Sequence, residues 1–167
     1  ARVIQEKVLL LGRSVSDRSV VSRETFIDYL KKGGCVTSLG APLFCAIRFI
    51  QFSGGNDVEL QLWSDERLSS LKTIYKQNAR GVRYFLIFHT DDETTRKWCQ
   101  DIAGFANVFK MIIVASEGES QQLESKYPNA TISILPHEDT DAACKSILNT
   151  LSREFSAIAA DDLGNPF

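Results

Sequence analysis

The chain has 167 residues, the length of one domain, and it can bury about two thirds of its unfolded surface without disulfide or metal staples. Hydrophobic residues make up 44% and charged residues 24%, which is typical of a globular domain and excludes disordered, collagen-like and coiled-coil classes. The 19 basic and 21 acidic residues leave a formal net charge of −2 with no long run of either sign, so we expect no nucleic-acid partner.

The sequence predicts neither a membrane span nor a zinc site. The longest apolar runs, such as residues 8–11 and 84–88, have four or five residues, whereas a spanning helix needs about twenty. The four cysteines are Cys35, Cys45, Cys99 and Cys144. They lack Cys-x-x-Cys spacing, which excludes the usual zinc ligand pattern. Dispersed cysteines beside apolar residues are typical of reduced core thiols, so we expect a cytoplasmic protein.

The N-terminal part of the chain predicts a buried strand followed by a helix. Residues 6–11 end in the apolar run 8–11, which is closed by Gly12, and a short apolar run closed by glycine is typical of a buried strand. Apolar pairs recur from about Ser19 to Leu30 before two lysines and two glycines, a pattern that ends helices. A loop is expected from Cys35 to Pro42.

The middle of the chain predicts a hairpin and a second helix. Residues 43–52 and 58–63 flank a cluster of turn-forming residues, which predicts two antiparallel strands. From Asp65 to about Asn78, apolar residues repeat at spacings of three and four, so this segment is expected to be helical.

The C-terminal half alternates strands with helices. Strands are predicted at 84–88, 111–114 and 130–135, and helices from 91 to 102, from 120 to 127 and from about 140 onward. Residues 90–93 supply an N-cap and an acidic first turn for the first of these helices. We therefore predict a single three-layer α/β domain over residues 1–160, with a six-stranded, mostly parallel sheet, one antiparallel edge hairpin and about five helices. Residues 161–167 are expected to be a tail or linker.

The order of these elements resembles that of the Ras-like small GTPases, and of Rab-type sequences most, from Lys7 to about Phe155. The most specific segment is Leu60-Gln61-Leu62-Trp63-Ser64-Asp65-Glu66-Arg67-Leu68-Ser69-Ser70-Leu71. It is similar to the family's passage from its third strand into switch II, which ordinarily reads leucine-x-isoleucine-Trp-Asp-Thr-Ala-Gly-Gln-Glu-Arg. The resemblance implies the Ras-like fold of the P-loop nucleoside triphosphatases.

The phosphate-binding loop departs from the family pattern. The family reads Gly-x-x-x-x-Gly-Lys-Ser/Thr, because backbone amides wrap the phosphates and the lysine neutralises them. Here Gly12 and Ser19 are retained, but Asp17 replaces the second glycine and Arg18 the lysine. A carboxylate about 4 Å from a phosphate charge costs on the order of 4 kcal/mol at an effective dielectric near 20. Asp17 therefore argues against triphosphate binding, and Arg18 pairs either with phosphate or with Asp17.

The other nucleotide motifs are also altered. Ser64 falls where the family has the aspartate of its magnesium shell, and Asp65 falls at the water-orienting glutamine, so hydrolysis by the family mechanism is not expected. The guanine-reading Asn-Lys-x-Asp corresponds to a segment with Ser116, Glu117 and Glu119. Glu117 removes the cationic side chain that would stack on the base, although Glu119 retains a carboxylate for the guanine edge.

These departures indicate a pseudo-GTPase domain without catalytic residues, cofactor or metal. Its function would then be binding of a protein partner through a switch-like surface, with candidates Thr37, Gly40, Asp65, Glu66 and Arg67. The first residue is Ala and no prenylation cysteine stands near the end, so we expect a monomeric domain of a larger protein. Similar domains lie within large FF-domain-containing Rho GTPase-activating proteins, which implies Rho signalling, with the parent protein as the GTPase activator.

Other interpretations stay open at this point. In one, Gly12, Arg18 and Ser19 still hold GTP or GDP with little or no hydrolysis, and Ser19 is a magnesium ligand. In another, the chain is a flavodoxin-like or receiver-type α/β domain. Purely structural roles are also compatible with the same residues, since Ser19 and Asp17 suit the start of a helix and Asp65 and Glu66 suit an acidic first turn.

Overall fold

The computed structural model describes residues 3–13, 21–32, 36–38, 44–51, 57–64, 82–105, 108–114, 117–128, 130–134 and 140–164. The strands are β1 (Val3–Gly12), β2 (Val36–Ser38), β3 (Phe44–Gln51), β4 (Asp57–Ser64), β5 (Val82–Phe88), β6 (Phe109–Val114) and β7 (Thr131–Ile134). The helices within these ranges are α1 (Arg23–Lys32), α2 (Asp92–Ile102), α3 (Glu117–Lys126) and α4 (Thr140–Gly164).

One mixed sheet organises the described residues. Its strand order is β2-β3-β4-β1-β5-β6-β7. The pairings from β4 through β1, β5 and β6 to β7 are all parallel, whereas β3 pairs antiparallel with β4 and with β2. The α/β class and the antiparallel hairpin predicted from the sequence are therefore confirmed.

The sheet has one strand more than predicted. The additional strand, Val36–Ser38, falls inside the predicted loop and pairs antiparallel with β3, so the described residues form seven strands rather than six. The physical reason is that the edge of the hairpin offers unpaired backbone groups, which the β-branched Val36 and Thr37 satisfy in an extended conformation. The fifth helix, predicted over 65–78, lies outside the described residues.

Helix boundaries also differ from the prediction, and α3 begins at Glu117, three residues before the predicted start at 120. Helix α1 begins at Arg23, four residues after the predicted start at Ser19. The cap lies at Ser22 instead, because its carbonyl accepts the Phe26 N–H at 3.1 Å and its own N–H donates to Thr25 Oγ1 at 2.7 Å. At the other end of the chain, α4 continues to Gly164, into the segment predicted as a tail from residue 161.

Two hydrophobic cores cover the two faces of the sheet. Val8 and Leu10 point to the face that packs against α1 and α4, whereas Leu9 and Leu11 point to the face that packs against α2 and α3, because successive residues of a strand alternate in direction. The first core contains Phe26, Leu30, Leu62, Tyr84, Leu86, Phe88, Met111, Ala143, Cys144, Ile147 and Leu151. The second contains Phe85, Ile87, Trp98, Cys99, Ile102, Ile112 and Leu123. The last helix buries Ala143, Ile147 and Leu151, which are spaced by four residues and therefore share one helical face.

The thiols of Cys99 and Cys144 are free and buried. The prediction of reduced core cysteines is therefore confirmed for these two, whereas the side chains of Cys35 and Cys45 lie outside the described part of the chain. No helix in the described ranges is both long enough and apolar enough to span a membrane.

Candidate functional site at the carboxyl edge of the sheet

Gly12 ends β1 in a conformation that favours glycine. Its φ is +90°, and an added Cβ would lie only 2.1 Å from the carbonyl oxygen of Phe88 in β5. The next residue, Arg13, donates its backbone N–H to the same oxygen at 2.8 Å. Glycine permits both the positive φ and the close backbone approach. Gly12 at the end of β1 therefore lies close against the backbone at the end of β5.

Arg23 brings together two of the residues that the sequence analysis singled out. Its Nε donates to the carbonyl oxygen of Gly12 at 3.1 Å, and its Nη1 donates to Ser64 Oγ at 3.0 Å. Its backbone N–H donates to the carbonyl oxygen of Arg13 at 3.0 Å. The residue is only 7% exposed. Gly12 at the end of β1 and Ser64 at the end of β4 are thus joined through one buried guanidinium.

The sequence analysis missed Arg23, although one signal for it was available. The residue follows the serine of a Ser-x-x-Thr capping pattern, so it falls at the first position of a helix. A positive charge is unfavourable there because the N-terminus of a helix carries partial positive charge. An arginine at such a position therefore indicates acceptors elsewhere in the structure that hold its side chain.

In the described part of this edge, the groups at the ends of β1 and β4 include a hydroxyl and a guanidinium. Ser64 supplies a hydroxyl where the family has a carboxylate, and its oxygen already accepts from the Arg23 guanidinium at 3.0 Å. Mg²⁺ prefers oxygen ligands, usually with carboxylates among them, and a divalent cation beside Ser64 would face a fixed positive charge. Across the described ranges, no group of three or more His, Cys, Asp or Glu residues is placed to hold a metal ion.

Three of the remaining predicted site residues lie in the described ranges, in two separate elements. Thr37 lies in the edge strand β2, and Glu117 and Glu119 lie in the first turn of α3. The others, Asp17, Arg18, Ser19, Gly40, Asp65, Glu66, Arg67 and Ser116, lie outside the described residues. The structural role considered for Ser19 was a position at the start of a helix. In the structure, Ser22 and Arg23 occupy the start of α1.

A second polar group lies beyond the end of β5. His89 Nδ1 and Thr95 Oγ1 are 2.6 Å apart, and His89 Nε2 lies 3.8 Å from Asp92 Oδ1. Lys126 of α3 reaches the other oxygen of Asp92 at 3.5 Å. Thr95 is 1% exposed, so its hydroxyl is not accessible to a substrate. These contacts therefore hold the loop after β5 against α2. His89 and Thr95 do not form a pair of catalytic base and accessible nucleophile.

Asp91 caps α2, as the sequence predicts. Its Oδ1 accepts the backbone N–H of Thr94 at 2.7 Å and its Oδ2 accepts the Thr94 hydroxyl at 2.9 Å. The backbone hydrogen bond, followed by the hydroxyl, lowers the pKa of Asp91 below its ordinary value. The ionised carboxylate of Asp91 accepts a hydrogen bond from one of the N–H groups at this helix end that have no partner within the helix.

No model of a known protein family matches the chain, and no curated protein matches it in sequence. The function is therefore inferred from the residues and contacts described above.

Proposed function

We propose that this chain is a catalytically inactive Ras-like domain, a pseudo-GTPase, that acts as a protein-interaction or regulatory module of a larger cytoplasmic signalling protein. The observation that carries the proposal is the buried guanidinium of Arg23 between Gly12 and Ser64. These two residues correspond to the first glycine of the phosphate-binding loop and to the magnesium-shell aspartate in the resemblance. A cation of the protein itself therefore lies between positions that serve phosphate and metal in an active GTPase.

The arrangement of the sheet supports the Ras-like part of the proposal. An antiparallel hairpin, β3 and β4, follows α1 and the short strand β2, and places β4 parallel to β1. Beyond β1, the strands β5, β6 and β7 are parallel and follow one another outward. This order agrees with the resemblance, whereas a flavodoxin-like or receiver sheet has the order 2-1-3-4-5, which provides no antiparallel pair beside β1.

Electrostatics disfavours a magnesium ion beside Ser64 and Arg23. A Mg²⁺ ion about 4 Å from the guanidinium would be opposed by roughly 4 kcal/mol per unit charge at an effective dielectric near 20. Each of the two charges of Mg²⁺ carries a cost of that size, so the affinity for the ion falls by more than about a thousandfold. Asp17 adds a second unfavourable charge, this time toward the phosphates.

The test is isothermal titration of freshly purified protein with GTP, GDP and ATP in the presence of magnesium. Chromatography of any nucleotide released on denaturation complements it. We expect no heat of binding and no released nucleotide. Micromolar or tighter binding would overturn the proposal in favour of a nucleotide-binding domain with slow turnover. In that case Asp17→Gly should tighten the affinity, because it removes the carboxylate from the phosphate loop.

The interaction part of the proposal concerns the switch-like surface, which includes Thr37 in β2 and Asp65, Glu66 and Arg67. An edge strand offers backbone groups that suit recognition of a protein chain, and charged residues add specificity for a partner. Once a partner is identified, reversing the three charges should abolish its binding. The matched control is reversal of Lys97, an exposed residue of α2 on another part of the domain. Equal loss of binding in both variants would contradict this surface.

A further inference from the structure

Arg23 is the point at which three elements meet. It is the first residue of α1, and its side chain donates to the end of β1 at Gly12 and to the end of β4 at Ser64. Its backbone N–H adds a bond to the carbonyl oxygen of Arg13. One buried residue thus holds a helix and two parallel strands at the same edge of the sheet.

These contacts continue into a third strand. The backbone N–H of Arg13 donates to the carbonyl oxygen of Phe88 at 2.8 Å, which links β1 to the end of β5. The carboxyl ends of β4, β1 and β5 are therefore connected in a chain of hydrogen bonds that includes Arg23. In open α/β sheets this edge is the crevice in which ligands bind, and a ligand there supplies partners to the strand ends and to the helix N-terminus.

We infer that Arg23 is an internal ligand that occupies this edge of the sheet and holds α1, β1 and β4 together in place of a bound molecule. The planar guanidinium presents donors in a fixed fork and satisfies two acceptors from different strands at once. A lysine has a single compact charge and does not reproduce that geometry. This structural role of Arg23 is separate from the proposed loss of nucleotide binding. It is therefore tested by measuring the stability of the protein rather than its binding of nucleotide.

Chemical rescue tests this role. Arg23→Ala should lower the melting temperature by about 5–10 °C. Methylguanidinium at about 10 mM should raise the melting temperature of Arg23→Ala, because it can fill the site left by the side chain and binds only the folded protein. Methylammonium at the same concentration controls for ionic strength and should give no such rise. Arg96→Ala removes an exposed arginine of α2 and should show neither the loss nor the rescue.

A second variant keeps the inference testable if Arg23→Ala does not fold. Arg23→Lys retains the charge without the fork, and we expect faster amide exchange at Gly12, Arg13 and Ser64 than in the wild type. Exchange in β6 and β7 should be unchanged, because those strands lie beyond β5 in the sheet, away from β1 and β4. Wild-type exchange and melting temperature in Arg23→Lys would overturn the inference. Equal stabilisation of Arg23→Ala and Arg96→Ala by methylguanidinium would also overturn it.

Discussion

Replacing Gly12 with alanine should force the ends of β1 and β5 apart. The new Cβ would lie 2.1 Å from the Phe88 carbonyl oxygen and 2.9 Å from its carbonyl carbon, and contacts below 3.0 Å are essentially never tolerated. Both obstacles are backbone atoms, so no side-chain rotation relieves them. The strand end must therefore move by about 1 Å, which is the difference between the 2.1 Å separation and the 3.0 Å limit for a real contact.

Two costs set the size of the effect. A non-glycine residue at a φ of +90° costs about 1–2 kcal/mol. Displacement also breaks the 2.8 Å hydrogen bond from the Arg13 N–H to the Phe88 carbonyl oxygen, which costs about 1–3 kcal/mol if the buried carbonyl is left without a donor. The free energy of unfolding should therefore fall by about 2–5 kcal/mol for Gly12→Ala.

Urea denaturation measures this loss. With an m-value of about 2 kcal/mol per molar urea, the midpoint should fall by about 1–2.5 M. The matched control is Gly104→Ala, because a Cβ there would meet only the Asp101 carbonyl oxygen at 3.7 Å, an ordinary contact, without a positive φ. Its effect should stay within about 0.5 kcal/mol. Equal midpoints for the two variants would refute the close approach of β1 to Phe88.

Two further predictions concern buried titratable groups. Burial raises the pKa of Tyr84 well above its ordinary value of 10, with a smaller contribution from Glu6. The unfolded chain therefore loses this proton first, so the associated stability is complete below about pH 10 and falls above it by up to about 1.4 kcal/mol per pH unit. Tyr84→Phe should remove that part of the alkaline slope, and identical slopes in urea titrations of both proteins would argue against it. Burial also raises the pKa of Cys144 to about 12, so alkylation at neutral pH should proceed only through unfolding. Mass spectrometry of iodoacetamide-treated native protein checks this, and labelling at the rate of an exposed thiol would contradict it.

Much of the fold could be predicted from the sequence because its signals are local. The alternation of Val8 and Leu10 with Leu9 and Leu11 places a strand between two cores, and the structure buries all four. Asp91 caps α2 through contacts with Thr94, three residues away, which the sequence pattern alone indicates. The hairpin followed from turn formers between two apolar runs, and its strands pair as expected.

The start of α1 shows where local signals were insufficient. Serines stand at positions 14, 16, 19 and 22, and each is a suitable N-cap residue. Ser22 is selected because the next residue reaches Gly12 and Ser64, which lie 11 and 41 positions away in the chain. Such contacts depend on which strands become neighbours in the sheet. The periodicity of apolar residues does not predict that arrangement.

The sequence by itself therefore determined the α/β class, the two-faced strands and the hairpin. Only the tertiary structure decided the strand order, the additional edge strand β2 and the position of the Arg23 guanidinium between β1 and β4. The physical reason is the separation along the chain over which each kind of interaction acts. Propensity, capping and amphipathicity act within a few residues, whereas the chemistry of the sheet edge arises from backbone and side-chain groups that distant segments bring within 3 Å or so of one another.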